Sequence, residues 1–457
     1  MISRMAFLKS KPILVIFLLA LCFRVVLFGF IFYNAEYNLV EAIKGVDGYY
    51  RLSENLLAGN GFSFDSEPPY RPNPLRPHAY PIFIASLAYI FQSYWAVLIA
   101  QLLIGSFIAV VSYLLATRFV SNRTAQWVGV AMALEPVTAF LSTNIFTETV
   151  FTALFLASLL LFLRFIDNPT SRTLVWSSFL FSLALLVKPV LQFLVIPIPV
   201  IIFLVVRKKN IKISQAIKFS AVFIAIVFLL VAPWLYRNYK EFGKVTLSAQ
   251  AGYNLYVYLQ PSVLALVNNT TFEIELDKLK AKGLDLADIT PATAGHYSRE
   301  ALEVIKDYPA AIVKSGLITG VTFFTHDGML SVMEYVGIKP SSNLSKPAIV
   351  LLTTEPASFI REAYALSTSP MIIILIARVF WILVTILFFI GVFLYIKHNG
   401  LSLPLVMVLF LVAYFALTTA VNGLGVTGRF RVPINFALFT FAFYTLSVIF
   451  SRLKRHV

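Results

Sequence analysis

Long apolar runs recur along the whole chain, at 12–33, 95–117, 125–142, 149–165, 173–187, 191–206, 217–236, 371–396, 402–421 and 431–451. Most approach or exceed the roughly 17–25 residues that a helix needs to cross a bilayer. Hydrocarbon offers the backbone no water, so each run must satisfy its own N–H and C=O groups as helix. The runs are continuous rather than alternating, which excludes a transmembrane β-barrel. Of the 457 residues 59% are hydrophobic and 13% charged, about half the charged share of an average soluble domain. The expected fold class is an all-α polytopic membrane protein with ten transmembrane helices, one for each run.

The net charge of +15 is topological rather than a nucleic-acid signature. With a cytoplasmic N-terminus, the inner segments are 1–11, 118–124, 164–172, 207–218, 397–400 and 452–457, and they hold 16 Lys or Arg against one acid, Asp167. That bias is the positive-inside pattern, and it predicts both termini in the cytoplasm and no nucleic-acid partner. The single Cys22 lies within the first run, so no intrachain disulfide forms. Residues 1–33 lack a small-residue cleavage site and read as a retained first span. No Gly-rich P-loop is present, so the chain is not an ATP-driven pump.

The runs divide the chain into an N-terminal membrane module at 1–236, a non-cytoplasmic loop region at 237–370 and C-terminal membrane helices at 371–457. The first outer loop, 34–94, is rich in Pro and Gly and predicts a short helix at about 47–58, stopped by Gly59. Ala79–Phe91 predicts a helix near the outer surface, too short to span. In the second loop, 273–282 and 297–314 have helical patterning. The apolar segment 316–335 is broken by His326-Asp327-Gly328 and reads as an interfacial or re-entrant piece.

Candidate chemistry gathers at the outer turns. A helix starting near Asp47 would put Asp47, Tyr50, Arg51 and Glu54 on one face. Arg71 and Arg76 follow, stiffened by Pro72, Pro74 and Pro77 beside His78. Rigid arginines suit phosphate, because guanidinium presents a planar fork to its oxygens. Glu148, Lys188, Arg237, Arg429 and Arg431 lie in later turns predicted on the same side as Asp47. Arg24, Glu135 and Arg378 fall within apolar runs, where a charge must be paired or hydrated. Glu135 is expected to face the interior, with Pro136 bending its helix. The chemistry requires no cofactor. The one metal set in view is Asp47, His78 and Glu148, whose donors suit Mg or Mn.

The ordered series resembles the GT-C glycosyltransferases, in the glycosyltransferase-39-like group of protein O-mannosyltransferases and the aminoarabinose transferase. It runs Asp47-Gly48-Tyr49-Tyr50, Leu56-Leu57-Ala58-Gly59-Asn60-Gly61-Phe62, Arg76-Pro77-His78-Ala79-Tyr80-Pro81, Thr147-Glu148, Lys188-Pro189, Pro233-Trp234-Leu235-Tyr236-Arg237-Asn238, Gly252-Tyr253-Asn254-Leu255-Tyr256 and Gly428-Arg429-Phe430-Arg431-Val432-Pro433. The resemblance implies a GT-C-type fold and a polyprenyl-phosphate sugar donor whose tail stays among the membrane lipids. It implies a lipid-linked or cell-surface glycan acceptor and an inverting transfer at the plasma membrane, on its periplasmic or extracellular side. It makes Asp47 the general base, Glu148 a second catalytic acid, and Arg76, Lys188, Arg429 and Arg431 the donor-phosphate ligands. Tyr50, Arg51, Arg71, His78, Arg237 and Asn254 become substrate-binding candidates. Many relatives have Glu after the loop Asp, where this chain has Gly48. Two alternatives stand beside this reading: a polyisoprenoid-glycan flippase or transporter, and a glycan polymerase or ligase using a pyrophosphate-linked donor.

Overall fold

The computed structural model describes residues 2–281, 289–338, 348–367, 370 and 372–453, so the tail at 454–457 lies outside them. Among the described residues every regular element is helical. Seven helices among the described residues are long and apolar enough to cross a membrane: Lys11–Asn34, Tyr94–Ala116, Thr147–Asp167, Ile213–Phe242, Ile372–Asn399, Leu403–Gly425 and Gly428–Leu453. Pro189–Val195 and Pro197–Lys208, bent by 44°, make an eighth if taken as one span.

The two remaining runs are also helical, with informative departures. Ser171–Val187 has 17 residues and stops at Lys188, whose extended backbone precedes Pro189. Proline disfavours helical geometry in the residue before it, which ends the helix there. The run 125–142 breaks into Asn122–Leu134 and Pro136–Thr143 at Glu135. Glu135 is buried, as expected, but its carboxylate caps the second piece. Oε1 accepts from Val137 N at 3.1 Å and Oε2 from Thr138 N at 2.6 Å. Arg24, fully buried, donates to Ala133 O at the end of the first piece, at 3.1 Å. The two charges thus serve the free backbone groups that a helix break creates.

Helices approach closely where side chains are small. A Cβ at Gly391 would meet Phe441 O at 1.9 Å, so this glycine lets Ile372–Asn399 lie directly on the final helix. Between Thr147–Asp167 and Leu403–Thr419 the core is aromatic, with Phe151 and Phe155 stacked at 6.0 Å and Phe415 edge-on to both.

The loop helices follow the sequence in outline. Tyr49–Leu57 ends beside Gly59, whose φ is +76°, and Ala79–Phe91 forms as a helix. The patterned stretch 297–314 is divided between Ala294–Ile305 and Pro309–Thr325, because Pro309 starts a new helix. His326–Gly328 separates Pro309–Thr325 from Met329–Tyr335. The helix Ile213–Phe242 runs unbroken past residue 237. Beyond it, Tyr256, Val257, Leu279, Ile289 and Ala301 form a small apolar cluster of their own.

Candidate active site

Asp47 lies in the turn before Tyr49–Leu57, not on that helix. Gly48 holds φ +79° and ψ +3°, a left-handed conformation open mainly to glycine. A Cβ there would meet the Phe64 ring at 2.6 Å. The turn therefore separates Asp47 from the face expected to carry it with Tyr50, Arg51 and Glu54. Arg51 pairs with Glu54 at 3.3 Å in solvent, and Tyr50 packs on Tyr94. Asp47 reaches instead to Arg429, with Nη1 donating to Oδ2 at 3.0 Å.

Arg429 stands at the entry to the last span, one residue after Gly428. Its Nε lies 3.8 Å from Glu148 Oε1, in the first turn of Thr147–Asp167. The same carboxylate oxygen accepts from Lys188 Nζ at 2.8 Å. Asp47, Arg429, Glu148 and Lys188 thus alternate in sign across one compact chain. The Glu148 side chain is 2% exposed and Lys188 26%. Phe430 lies between the cations, 5.7 Å from Lys188 Nζ and 5.3 Å from Arg429 Cζ, and Phe151 flanks Lys188 at 5.8 Å. Aromatic faces support these cations while keeping water off them. Four stretches distant in sequence therefore meet at one end of the bundle.

Arg76 approaches the same group. Its guanidinium sits 5.2 Å from the Tyr49 ring centroid, and its buried Nε has no hydrogen-bond partner. Burial works against its charge, but Tyr49 and Asp47 outweigh burial and the repulsion of Arg429, so its pKa is raised. Nη1 also donates to Gln250 Oε1 at 3.5 Å. Gln250 donates to Asn254 at 2.6 Å, and Asn254 to Asn422 at 3.2 Å. This amide row extends from Arg76 to the turn before Gly423. Gln250 and Asn422 escaped the sequence reading, and Tyr49 and Phe430 entered it as motif members without a site role. Asn422-Gly423, a polar pair directly closing the apolar run 402–421, was the available signal.

Other expected site residues lie elsewhere. Arg431 turns away from the charge chain and is 1% exposed. It donates to Phe323 O at 2.8 Å, Phe324 O at 2.7 Å, His326 O at 3.0 Å and Asn435 Oδ1 at 3.1 Å, and stacks 3.5 Å from the Trp381 centroid. It closes the carboxyl end of Pro309–Thr325 and has little left to offer a phosphate. Arg71 forks onto Asp65. His78 stacks on Trp234 at 4.4 Å, where burial and then Arg237 hold its pKa down to about 4. Arg237 packs over Trp234 at 4.8 Å and donates to Asn73 O at 3.2 Å, tying its helix to the first loop. Arg378, which needs a partner within its apolar run, pairs with buried Asp327 at 2.6 Å.

A metal fits this arrangement poorly. Among the described residues no three His, Cys, Asp or Glu side chains gather around one point. Arg429 already bridges Asp47 and Glu148, and His78 is engaged with Trp234. A cation on the two carboxylates would have to displace the guanidinium.

The chain has the GT-C-type architecture that its ordered motifs resemble. Residues 76–236, carrying Arg76, Glu148 and Lys188, match the family described as dolichyl-phosphate-mannose-protein mannosyltransferase. Asp47 and Arg429 lie outside that match. The archaeal oligosaccharyltransferase AglB from Archaeoglobus fulgidus, solved with an inhibitory peptide and a dolichol-phosphate, is similar at 15% identity and TM-score 0.51, over 98% of this chain and 51% of that one. The apo form of the Archaeoglobus fulgidus oligosaccharyltransferase gives 16% and 0.54, over 98% and 52%. ArnT from Cupriavidus metallidurans bound to undecaprenyl phosphate gives 12% and 0.37, over 93% and 77%. This chain thus spans about half the length of the oligosaccharyltransferase. No curated protein matches it in sequence.

Proposed function

We propose that the protein is an integral-membrane glycosyltransferase that moves a sugar from a polyprenyl-phosphate carrier to a hydroxyl of a lipid-linked or cell-surface glycan. The observation that carries this reading is the alternating chain Asp47, Arg429, Glu148 and Lys188, with the unpartnered Nε of Arg76 beside it. Asp47 takes the proton of the acceptor hydroxyl as its oxygen bonds to the anomeric carbon. The bond from that carbon to the phosphate oxygen breaks, and its electron pair leaves with the lipid phosphate. Attack opposite the leaving group inverts the anomeric centre. Arg429, Lys188 and Arg76 stabilise the negative charge that grows on the phosphate. Glu148 fixes Lys188 and Arg429 for that task. The second carboxylate expected to act on substrate becomes, in this reading, a holder of cations.

An apolar crevice supports a lipid donor. It is lined by Phe155, Phe162, Phe181, Leu194, Phe223 and Met407, and Phe155 is one helical turn from the Phe151 ring beneath Lys188. A phosphate at Lys188 would leave its tail directed along this wall. The positive-inside count supports a site on the periplasmic or extracellular side, with both termini cytoplasmic. The loop region 237–370 supplies Gln250 and Asn254 on the side where the acceptor enters.

Asp47→Asn tests the proposal. Loss of a general base lowers turnover by roughly 10²–10⁴-fold. Purified variant and wild type are compared for release of polyprenyl phosphate and sugar transfer in proteoliposomes. Unchanged turnover in a folded Asp47→Asn protein would remove Asp47 from catalysis.

A further inference from the structure

Arg429 gains its position from a turn far away in sequence. The residue before it, Gly428, donates its backbone N–H to His326 Nδ1 at 3.2 Å. The same nitrogen accepts from Gly328 N at 2.9 Å, closing the 326–328 turn on itself. A Cβ on Gly428 would meet His326 O at 3.0 Å, so the two backbones lie in contact. Arg431 secures the far side by donating to the carbonyls of Phe323, Phe324 and His326. Asp327 is held by Arg378 and accepts from Met329 N at 2.9 Å. The turn is thus braced from three helices, and its hydrogen bond to Gly428, the residue before Arg429, runs through an imidazole nitrogen that must carry no proton.

We propose that His326 is a positioning residue for Arg429, fixing the backbone from which the guanidinium reaches Asp47 and Glu148. The proposal rests on the reading of Arg429 as a donor-phosphate ligand. Three charged groups act on the ring: Arg378 from Ile372–Asn399, Arg431 from the entry to the last helix, and Asp327 from its own turn. Burial and then Arg378 lower the pKa of His326 to about 4, against the pull of Asp327. Near neutral pH Nδ1 is therefore free to accept both N–H groups. Acidification toward that value protonates it and breaks the link to Gly428.

Hydrogen exchange of peptides covering 426–431 in the detergent-solubilised full chain reads this link without any ligand. His326→Phe removes the acceptor and is expected to raise exchange there. His326→Asn, whose Oδ1 replaces Nδ1 but does not titrate, is expected to preserve protection. The affinity for farnesyl phosphate reads the consequence. His326→Phe should weaken it about tenfold, the scale of one hydrogen bond, and His326→Asn should restore it to within about threefold. In an Arg429→Gln background His326→Phe should cost nothing further.

Unaltered exchange in His326→Phe, or the same loss of affinity with and without Arg429, overturns the proposal. If His326→Phe does not fold, acid titration decides. Exchange at 426–431, corrected for intrinsic rate, must rise toward pH 4 in wild type and stay flat in His326→Asn. Equal curves overturn it. An Arg429→Gln protein that binds farnesyl phosphate normally would instead sink the donor-phosphate reading, with the exchange result still deciding whether His326 holds Gly428.

Discussion

Removing Lys188 should harm the protein far more than removing Glu148, although the two form one ion pair. They meet at 2.8 Å, but the Glu148 side chain is 2% exposed and Lys188 26%. In Lys188→Met a buried carboxylate keeps Arg429, whose Nε stands at 3.8 Å, as its cation, beside the Thr147 hydroxyl that donates at 3.3 Å. Orphaning a buried charge costs about 3–5 kcal/mol, and the nearby guanidinium puts this case near the lower end, about 3 kcal/mol. In Glu148→Gln the lysine can swing toward solvent and the amide oxygen can still accept, so the cost is about 1 kcal/mol. The double variant leaves neither charge stranded. With a coupling of about 2 kcal/mol, it should fall between the singles at about 2 kcal/mol. The assay is the apparent Tm at one scan rate in one detergent, which ranks variants even where unfolding is irreversible. The expected order of damage is Lys188→Met, then the double variant, then Glu148→Gln. Equal losses in the singles, or a double variant worse than either, would show that the pair is not desolvated and refute the reasoning.

Arg431→Met strands three backbone carbonyls and should destabilise the protein by about 3 kcal/mol or more, seen as a lowered apparent Tm. A surface phosphate ligand would leave the Tm unmoved. His78, whose pKa drops from 6.5 to about 4 on burial beside Arg237, contributes stability that is fully present above pH 6.5 and lost as pH falls toward 4. The linked loss is at most about 3 kcal/mol. His78→Gln should flatten the Tm-against-pH curve across that window, and an unchanged slope would refute the assignment. Arg51→Ala and Arg71→Ala, which remove exposed ion pairs, should change farnesyl phosphate affinity less than about twofold. A tenfold loss in either would place that arginine at the site.

The membrane helices were legible because apolar length is a crude, additive property that no tertiary context reverses. The stop at Val187 was legible too, since Pro189 ends a helix by sterics alone, whereas the helix start at Pro309 was read through inside the stretch 297–314. The charge chain was legible as a set of turns on one side, but not in its wiring. Arg429 and Arg431 illustrate the difficulty. They lie two residues apart in a tight helical stretch, Gly428–Ile434, of about three residues per turn. Such neighbours point in widely different directions, and no pattern said which one faced Asp47. His78 lay beside the right motif, yet a flat ring next to Trp234 is claimed by stacking. The turn at Asp47 was misread because a helical face was extended back through Gly48 without regard to its left-handed backbone.

That glycine has a consequence for how the loop can be redesigned. Placing a glutamate at this point is not a one-step exchange, because Phe64 fills the space and the left-handed backbone disfavours any side chain. The aromatic ring and the turn would have to change together. The loop is thereby held to one acid by its shape, and fitting a second there takes paired changes at Gly48 and Phe64.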